Sequence, residues 1–295
     1  MRLLLIFLFA SSIVFGSEAS YFDRVQEAKA FLLEKSDNSH PELIVVLTAG
    51  VEGIEKLVTE KKELFAKDIP HFPIAKAEGH EGKLIFGKLD GKEVVLLKGR
   101  YHFYEGISSQ EVVFPYFVLN AMGAHSVITC NAVGGIRHDL NSGDIMMVTD
   151  HINYLGDNCL RGIAIERPGN QFTDMTEPYT HFYQNVAQEE AKKLGISLKT
   201  GIYLATSGPN YETRSEIRMF RTWGADAVGM STVFEVLASN FMGMRVLAFC
   251  CIANPAADRH EGEMSHEEVL EAMRAAGPKL SSLLTACARK VLAGA

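Results

Sequence analysis

From Leu43 to Asn254, short apolar runs of strand character alternate with longer stretches of helical character, and that alternation confines the chain to an α/β fold. The runs open with "LIVVL" at 43–47 and continue with "GKLIFGKLDGKEVVLLKGR", which splits into a hairpin at Asp90-Gly91. Strands are then expected at "SVITCNA", "DIMMVTDHI", "TGIYLAT", "DAVGM" and "RVLAFCCIAN". Helices are expected at "SSQEVVFPYFVLNAMGA", closed by Gly123, and around Phe182 to Leu194, closed by Gly195. Two more are expected at "YETRSEIRMFRTWGA" and "TVFEVLASNFMGM". The tail begins with a capping box at Ser265 and Glu268 and runs helically, with a break expected at Gly277-Pro278. After the first strand, the turn Thr48-Ala49-Gly50-Val51-Glu52-Gly53 leads into a helix-like stretch, the layout of a strand, an anion-binding loop and a helix amino terminus. No repeat or linker divides the chain, so residues 21–295 read as one domain.

Apolar residues make up 47% of the 295 and charged residues 22%, enough for a substantial core. The net charge of -7 argues against non-specific nucleic-acid binding but leaves room for a small anion held by local cations. Residues 1–17 stand apart: Arg2, an uncharged run from Leu3 to Phe15, then Gly16 and Ser17. This is the pattern of a secretory signal, too short for a comfortable membrane span, and a buried first element is the other reading. With the signal, the protein is expected to be periplasmic or secreted, with no stable membrane anchor; the alternative is a cytoplasmic protein. The five cysteines, Cys130, Cys159, Cys250, Cys251 and Cys287, read as buried free thiols, and no pair has zinc-ligand spacing with histidine nearby.

Polar residues cluster where strands end, which is where α/β proteins bind ligands. In "GRYHFYEG", Arg100 and His102 are spaced to share one face of a strand and would suit a phosphate. A structural Arg100 paired with Glu105 explains the stretch equally well. "TCNAVGG", from Asn131 to Gly135, is by itself more simply an ordinary tight turn. In "TSGPNYETRSE", Tyr211 and Glu212 could stack on and hydrogen-bond a heteroaromatic ring, although such a glutamate more often serves a helix dipole. Ser231 in "GADAVGMSTVFEVLAS" is either an N-cap or an anion ligand. The chain lacks G-x-S-x-G, a P-loop lysine, H-E-x-x-H and a full G-x-G-x-x-G, which argues against serine hydrolases, P-loop NTPases, zincins and Rossmann dehydrogenases.

Taken in order, "GHEGKLIFGKLDGKEVVLLKGRYHFYEG", "TCNAVGGI", "GDIMMVTDHIN", "SGPNYET", "GADAVGMSTVFEV" and "SHEEVL" resemble trimeric-class purine nucleoside phosphorylases, from about Glu42 to Leu270. The resemblance implies a single α/β domain with a large mixed β-sheet surrounded by helices, and a homotrimer. It implies phosphorolysis of inosine- or guanosine-type nucleosides to free purine and ribose 1-phosphate, with inorganic phosphate as co-substrate and no metal or organic cofactor. Matching motifs give Arg100, His102, the backbone at Ala132, and Ser231 to phosphate, with His80 nearby and Ala49 in the phosphate loop. They give Tyr104, Met230, Tyr203 and His266 to the ribose, and Phe172 to a neighbouring subunit's site. Tyr211, Glu212 and Asn254 fall to the purine, and His102, Glu212 and Asn254 carry the catalytic expectation.

This sequence departs from the family pattern in several places. Thr48-Ala49-Gly50 stands where the family has a glycine-serine-glycine turn, so the serine that binds phosphate is absent, and Glu52 replaces a glycine. Tyr211 replaces a phenylalanine, Phe234 a proline, and Pro255 follows Asn254. Asn254 leans toward 6-oxopurines, while Asp258 keeps an adenine reading open. Two rival functions remain: a purine nucleoside hydrolase on the same fold, and a catalytically weak nucleoside-binding protein.

Overall fold

The computed structural model describes residues 19–48, 50, 51, 53–75, 82–166, 171–263 and 265–294. The leader, Ala49, Glu52, His80 and the side chain of His266 lie outside that description. The chain begins as α1 (Tyr21–Lys35), whose start is set by a reciprocal cap between Ser20 and Asp23. Nine strands follow: β1 (Leu43–Leu47), β2 (Thr59–Phe65), β3 (Lys83–Leu89), β4 (Lys92–Lys98), β5 (Ser126–Gly135), β6 (Ile145–Tyr154), β7 (Leu198–Thr206), β8 (Ala227–Gly229) and β9 (Arg245–Pro255). The helices between and after them are α2 (Ser109–Met122), the short α3 (Ile163–Glu166), α4 (His181–Lys193), α5 (Arg214–Thr222), α6 (Val233–Phe241) and α7 (His266–Leu292).

The sheet is mixed and runs β2-β3-β4-β1-β5-β8-β7-β6-β9. Because β9 also pairs with β5, strands β5, β8, β7, β6 and β9 close into a ring from which β1, β4, β3 and β2 extend as a wing. The strands of the middle read as unbroken apolar runs because both their faces are covered. Along β1, Ile44 and Val46 enter one core while Leu43, Val45 and Leu47 enter the other. β9 does the same, with Val246, Ala248, Cys250 and Ile252 against Leu247, Phe249 and Cys251. Helices α1, α2 and α6 cover the first face, and α4 and α7 cover the second. All five cysteines are buried free thiols; burial pushes Cys130 up to about 11 and Cys251 and Cys287 up to about 12.

The tight turn read at "TCNAVGG" is instead strand, since β5 runs through Gly135 paired to β9. Two further sequence expectations fail, both beside the first loop. The helix expected after Gly53 is only a four-residue 3-10 turn, Ile54–Leu57, and the chain then forms the exposed edge strand β2. Its Lys and Glu residues favour helix locally, but the edge of β3 takes the segment instead, with Val58 and Thr59 lying so close to Gly87 that a side chain there would collide. Among the described residues, the turn is therefore followed by one short 3-10 turn and not by the start of an α-helix. The expected break at Gly277-Pro278 does not occur either, since α7 is continuous through both residues. Gly277 serves packing: the Gly50 backbone abuts it, and at Gly50 (φ 82°) a side chain would meet the Met273 carbonyl at 2.6 Å. Helix α7 thus touches the first loop backbone to backbone.

Candidate active site

The parallel strands β1, β4, β5 and β9 end on one side of the sheet, and a cavity of about 490 Å³ opens there. Thr48 after β1, Arg100 after β4, Ala132 on β5, Ser231 after β8, Glu212 after β7 and Asn254 on β9 all contribute to its lining. Residues Val269, Leu270 and Met273 of α7 give it an apolar side. Six separated stretches thus converge, and no one of them could have shown that alone.

Arg100 lies beyond the end of β4 rather than in the strand, and is 7% exposed. Its Nη1 donates to Ser231 Oγ at 3.2 Å and its Nη2 to Thr129 Oγ1 at 2.6 Å. Glu235, 2% exposed on α6, supplies the countercharge, with Oε1 2.8 Å from Arg100 Nε and Oε2 3.3 Å from Nη2. The Nε contact counts as an ion pair, because its geometry falls short of a hydrogen bond. Thr129 Oγ1 donates to the same carboxylate at 3.0 Å. Glu105, which the sequence offered as an alternative partner for Arg100, instead takes the backbone N–H of His102 at 2.8 Å and its Nδ1 at 3.0 Å.

That pairing settles the imidazole's tautomer, since a carboxylate only accepts and Nδ1 must carry the proton. Burial holds His102 below its ordinary pKa; the bond to Glu105 opposes that, and the nearby Arg100 charge adds to the depression. The ring stacks on Tyr104 with centroids 4.6 Å apart and planes 17° from parallel, so both residues line the cavity in fixed orientation.

Ser231 is not an N-cap. The cap position of α6 belongs to Thr232, which makes no side-chain cap bond. Thr232 sits at φ 69°, ψ -48°, and the Val233 N–H donates to the Ser231 carbonyl at 2.8 Å, closing a γ-turn of the rare kind. For a buried β-branched residue this is real strain, on the order of 1–3 kcal/mol. Tyr203 holds the strained junction from behind: its hydroxyl donates to the Ser231 carbonyl at 3.0 Å and accepts from the Ser231 N–H at 3.1 Å. Tyr203 is wholly buried and outside the cavity lining, contrary to the expectation that it lines a ribose pocket. Asn131 Nδ2 also donates to Ser231 Oγ, at 3.2 Å.

Across the cavity lining, Glu212 stands between β7 and α5. It does not cap the helix, because Thr213 and Glu216 form that cap. Burial raises its carboxyl above the ordinary range, its own backbone N–H and the Thr206 hydroxyl partly restore it, and Glu216 opposes them. Tyr211 is 37% exposed at the cavity mouth. A β-bulge sets Asn254: Val133 pairs with Ile252 but Gly134 with Asn254, leaving Ala253 as an extra residue on β9. Asn254 is 6% exposed and its Nδ2 donates to the Pro255 carbonyl at 2.8 Å. Asp258 takes no part in the lining; Arg221 binds it at 2.6 and 3.1 Å and holds its carboxyl below the usual range. That removes the reason for an adenine reading.

Met230 lines the cavity and touches the Gly208 turn. Phe172 is 85% exposed and lies outside the cavity of its own chain. The residues that sequence reasoning passed over are Glu235, Thr129 and Thr206. Glu235 was the most visible, as a lone acid inside the apolar run "TVFEVLAS".

The description of the phosphorylase superfamily matches residues 43–289. Purine nucleoside phosphorylase 1 of Bacillus subtilis is 42% identical over 249 residues, covering 84% of this chain and 92% of that one. The Bos taurus purine nucleoside phosphorylase is 36% identical over 271 residues, covering 90% and 93%. A crystal structure of a schistosome purine nucleoside phosphorylase in complex with hypoxanthine superposes with a TM-score of 0.85 at 30% identity, covering 90% of this chain and 96% of the other. The chain belongs to the phosphorylase superfamily and, within it, to the purine nucleoside phosphorylases.

Proposed function

We propose that the chain catalyses phosphorolysis of purine nucleosides, with a lean to 6-oxopurines, giving free purine and ribose 1-phosphate. One observation carries the reading: Arg100, His102 and Ser231, which suit an anion, share a single cavity with Glu212 and Asn254, which suit a purine edge. The relatives' names and the hypoxanthine in the schistosome structure support it.

In this mechanism phosphate is the nucleophile. Its oxygens take the Arg100 and Ser231 donors and the backbone at Ala132, and a protonated phosphate oxygen can donate to the unprotonated Nε2 of neutral His102. The C1'–N9 bond lengthens toward a ribosyl cation, and a phosphate oxygen then forms the new bond to C1'. The electron pair of the broken bond goes to the purine, which takes up a proton as it leaves. Asn254 has one further N–H and its Oδ1 to offer the N7 and O6 edge, where that charge gathers. Glu212 accepts from the ring N–H opposite. Tyr104, Met230 and His266 hold the ribose, while Tyr203 acts on the site only through Ser231. No cofactor is required, and inorganic phosphate is the co-substrate.

A homotrimer belongs to the same proposal, with Phe172 reaching a neighbouring subunit's site; its exposure in the isolated chain supports this. So does export, with a leader cleaved after Gly16 or within a few residues, leaving a periplasmic or secreted enzyme whose α1 begins at Tyr21. Among the described residues no helix is long and apolar enough to cross a membrane. Inosine incubated with phosphate should yield hypoxanthine and ribose 1-phosphate. Equal turnover in phosphate-free buffer, with free ribose as product, would replace this reading with hydrolysis.

A further inference from the structure

Glu212 is a carboxylate in an awkward place. It is largely removed from water on the connection between β7 and α5, and no cation figures among the interactions that set its ionisation. It is not needed by the helix that follows, whose cap uses Thr213 and Glu216. Its firm partner is Thr206, whose Oγ1 donates to Glu212 Oε1 at 3.0 Å.

Thr206 is well placed to impose an orientation. It is the last paired residue of β7, opposite Tyr154 of β6, so its backbone is fixed by the sheet. Its β-branched side chain has few rotamers, which fixes the hydroxyl direction in turn. Between Thr206 and Glu212 the chain makes the Gly208-Pro209 turn, which packs against Met230 and Tyr104 on the sugar side of the cavity. The Thr206 hydroxyl is therefore a short cross-link over that turn, from the strand end to a carboxylate on a connection. Thr206 itself is not part of the cavity lining.

We propose that Thr206 is a positioning residue for purine recognition, its hydroxyl holding Glu212 so that one carboxylate oxygen is presented, ionised, to the ring N–H of a 6-oxopurine. The inference rests on the reading of Glu212 as a purine ligand given above. Among the described residues, the other charged and titratable groups acting on the carboxylate are Glu216 of α5 and Tyr211 beside it, with Glu268 of α7, itself paired to His260, beyond Tyr211. Glu216 opposes ionisation and Thr206 favours it. Loss of the hydroxyl therefore moves protonation of Glu212 to higher pH, and the protonated acid offers the ring N–H only a weaker, uncharged acceptor.

The test is a pH profile of kcat/KM for inosine at saturating phosphate, using wild type, Thr206→Val, Thr206→Ser, Glu212→Ala and the double variant Thr206→Val with Glu212→Ala. Thr206→Val is expected to lower kcat/KM about ten-fold, mostly through the inosine KM, as loss of a hydrogen bond to a charged group does. Its acid limb should move to higher pH while the phosphate KM stays put. Thr206→Ser should restore both properties, and in the Glu212→Ala background Thr206→Val should change nothing further. The inference is overturned if Glu212→Ala is costly but Thr206→Val leaves rate and acid limb unmoved, or if Thr206→Val costs the same in both backgrounds. If Glu212→Ala is itself silent with inosine, the purine-ligand reading fails and takes the inference with it, by a separate result. Should Thr206→Val be insoluble, Thr206→Ala answers the same questions.

Discussion

The groups proposed for phosphate and those proposed for the purine are built differently. Around Ser231 and Arg100 every polar group answers to several others: Arg100 to Glu235, Thr129 and Ser231, and Ser231 to Arg100, Asn131 and Tyr203. These residues lie within β5 and β7, just past the ends of β4 and β8, and at the start of α6, and most are buried. On the purine side, Glu212 depends chiefly on Thr206, Asn254 on the Pro255 carbonyl, and Tyr211 stands half open at the mouth. The first arrangement is a preorganised electrostatic site whose members also hold the fold together. The second is tied to the fold by fewer hydrogen bonds, so its substitution is expected to cost the fold less.

The largest effect that sharpens this contrast concerns Glu235. Glu235→Ala leaves the buried Arg100 charge uncompensated, and should lower the unfolding free energy by about 3–5 kcal/mol, read by urea denaturation. A loss below 1 kcal/mol would show that the phosphate side is not part of the structural core. Glu212→Ala should do the opposite on the purine side: kcat/KM for inosine falls by about 2–4 kcal/mol, with stability unchanged or raised, since an ionised group that burial disfavours is removed. Asn254→Asp should weaken inosine and improve adenosine, because a carboxylate repels O6 yet accepts from a 6-amino group.

A smaller gain is expected from Ala49→Ser. It restores a hydroxyl to the first loop and should lower the phosphate KM by about 1.5–3 kcal/mol, the range for a hydrogen bond to a charged group. Nucleoside KM should not change. The smallest effect is on pH-dependent stability. His102 and His151 are both held below 6.5 by burial, with Glu105 and Asp150 respectively opposing. The unfolded chain takes up those protons first, so their contribution is full above about pH 6.5 and is lost as pH falls through the depressed folded values. Urea midpoints at about pH 7.5 and about pH 5 should differ in that direction, and His102→Asn should reduce the difference.

The strands were legible in the sequence where both faces are buried, since "LIVVL" and "RVLAFCCIAN" carry no polar interruption. The Asp90-Gly91 hairpin and the Gly123 and Gly195 helix ends were legible because positive-φ turns select those residues. Ring closure was not, because the pairing of β5 with both β8 and β9 is a long-range choice with no local signature. Local preference misled at β2, where Lys and Glu suggest helix but a sheet edge prevails, and at Gly277-Pro278, where glycine permits contact with Gly50 instead of ending α7. The site was readable as motifs, yet the partner of Arg100 was not. Glu105 is five residues from Arg100 in sequence, whereas Glu235 reaches it only through the packing of α6 on the sheet.

The most direct test of the account is two-substrate kinetics, with inosine and phosphate both varied, on wild type, Ser231→Ala and Glu212→Ala. Phosphorolysis with a divided site predicts that turnover depends on phosphate, that Ser231→Ala raises chiefly the phosphate KM, and that Glu212→Ala raises chiefly the inosine KM. Turnover independent of phosphate, or both substitutions moving the same KM, would contradict it.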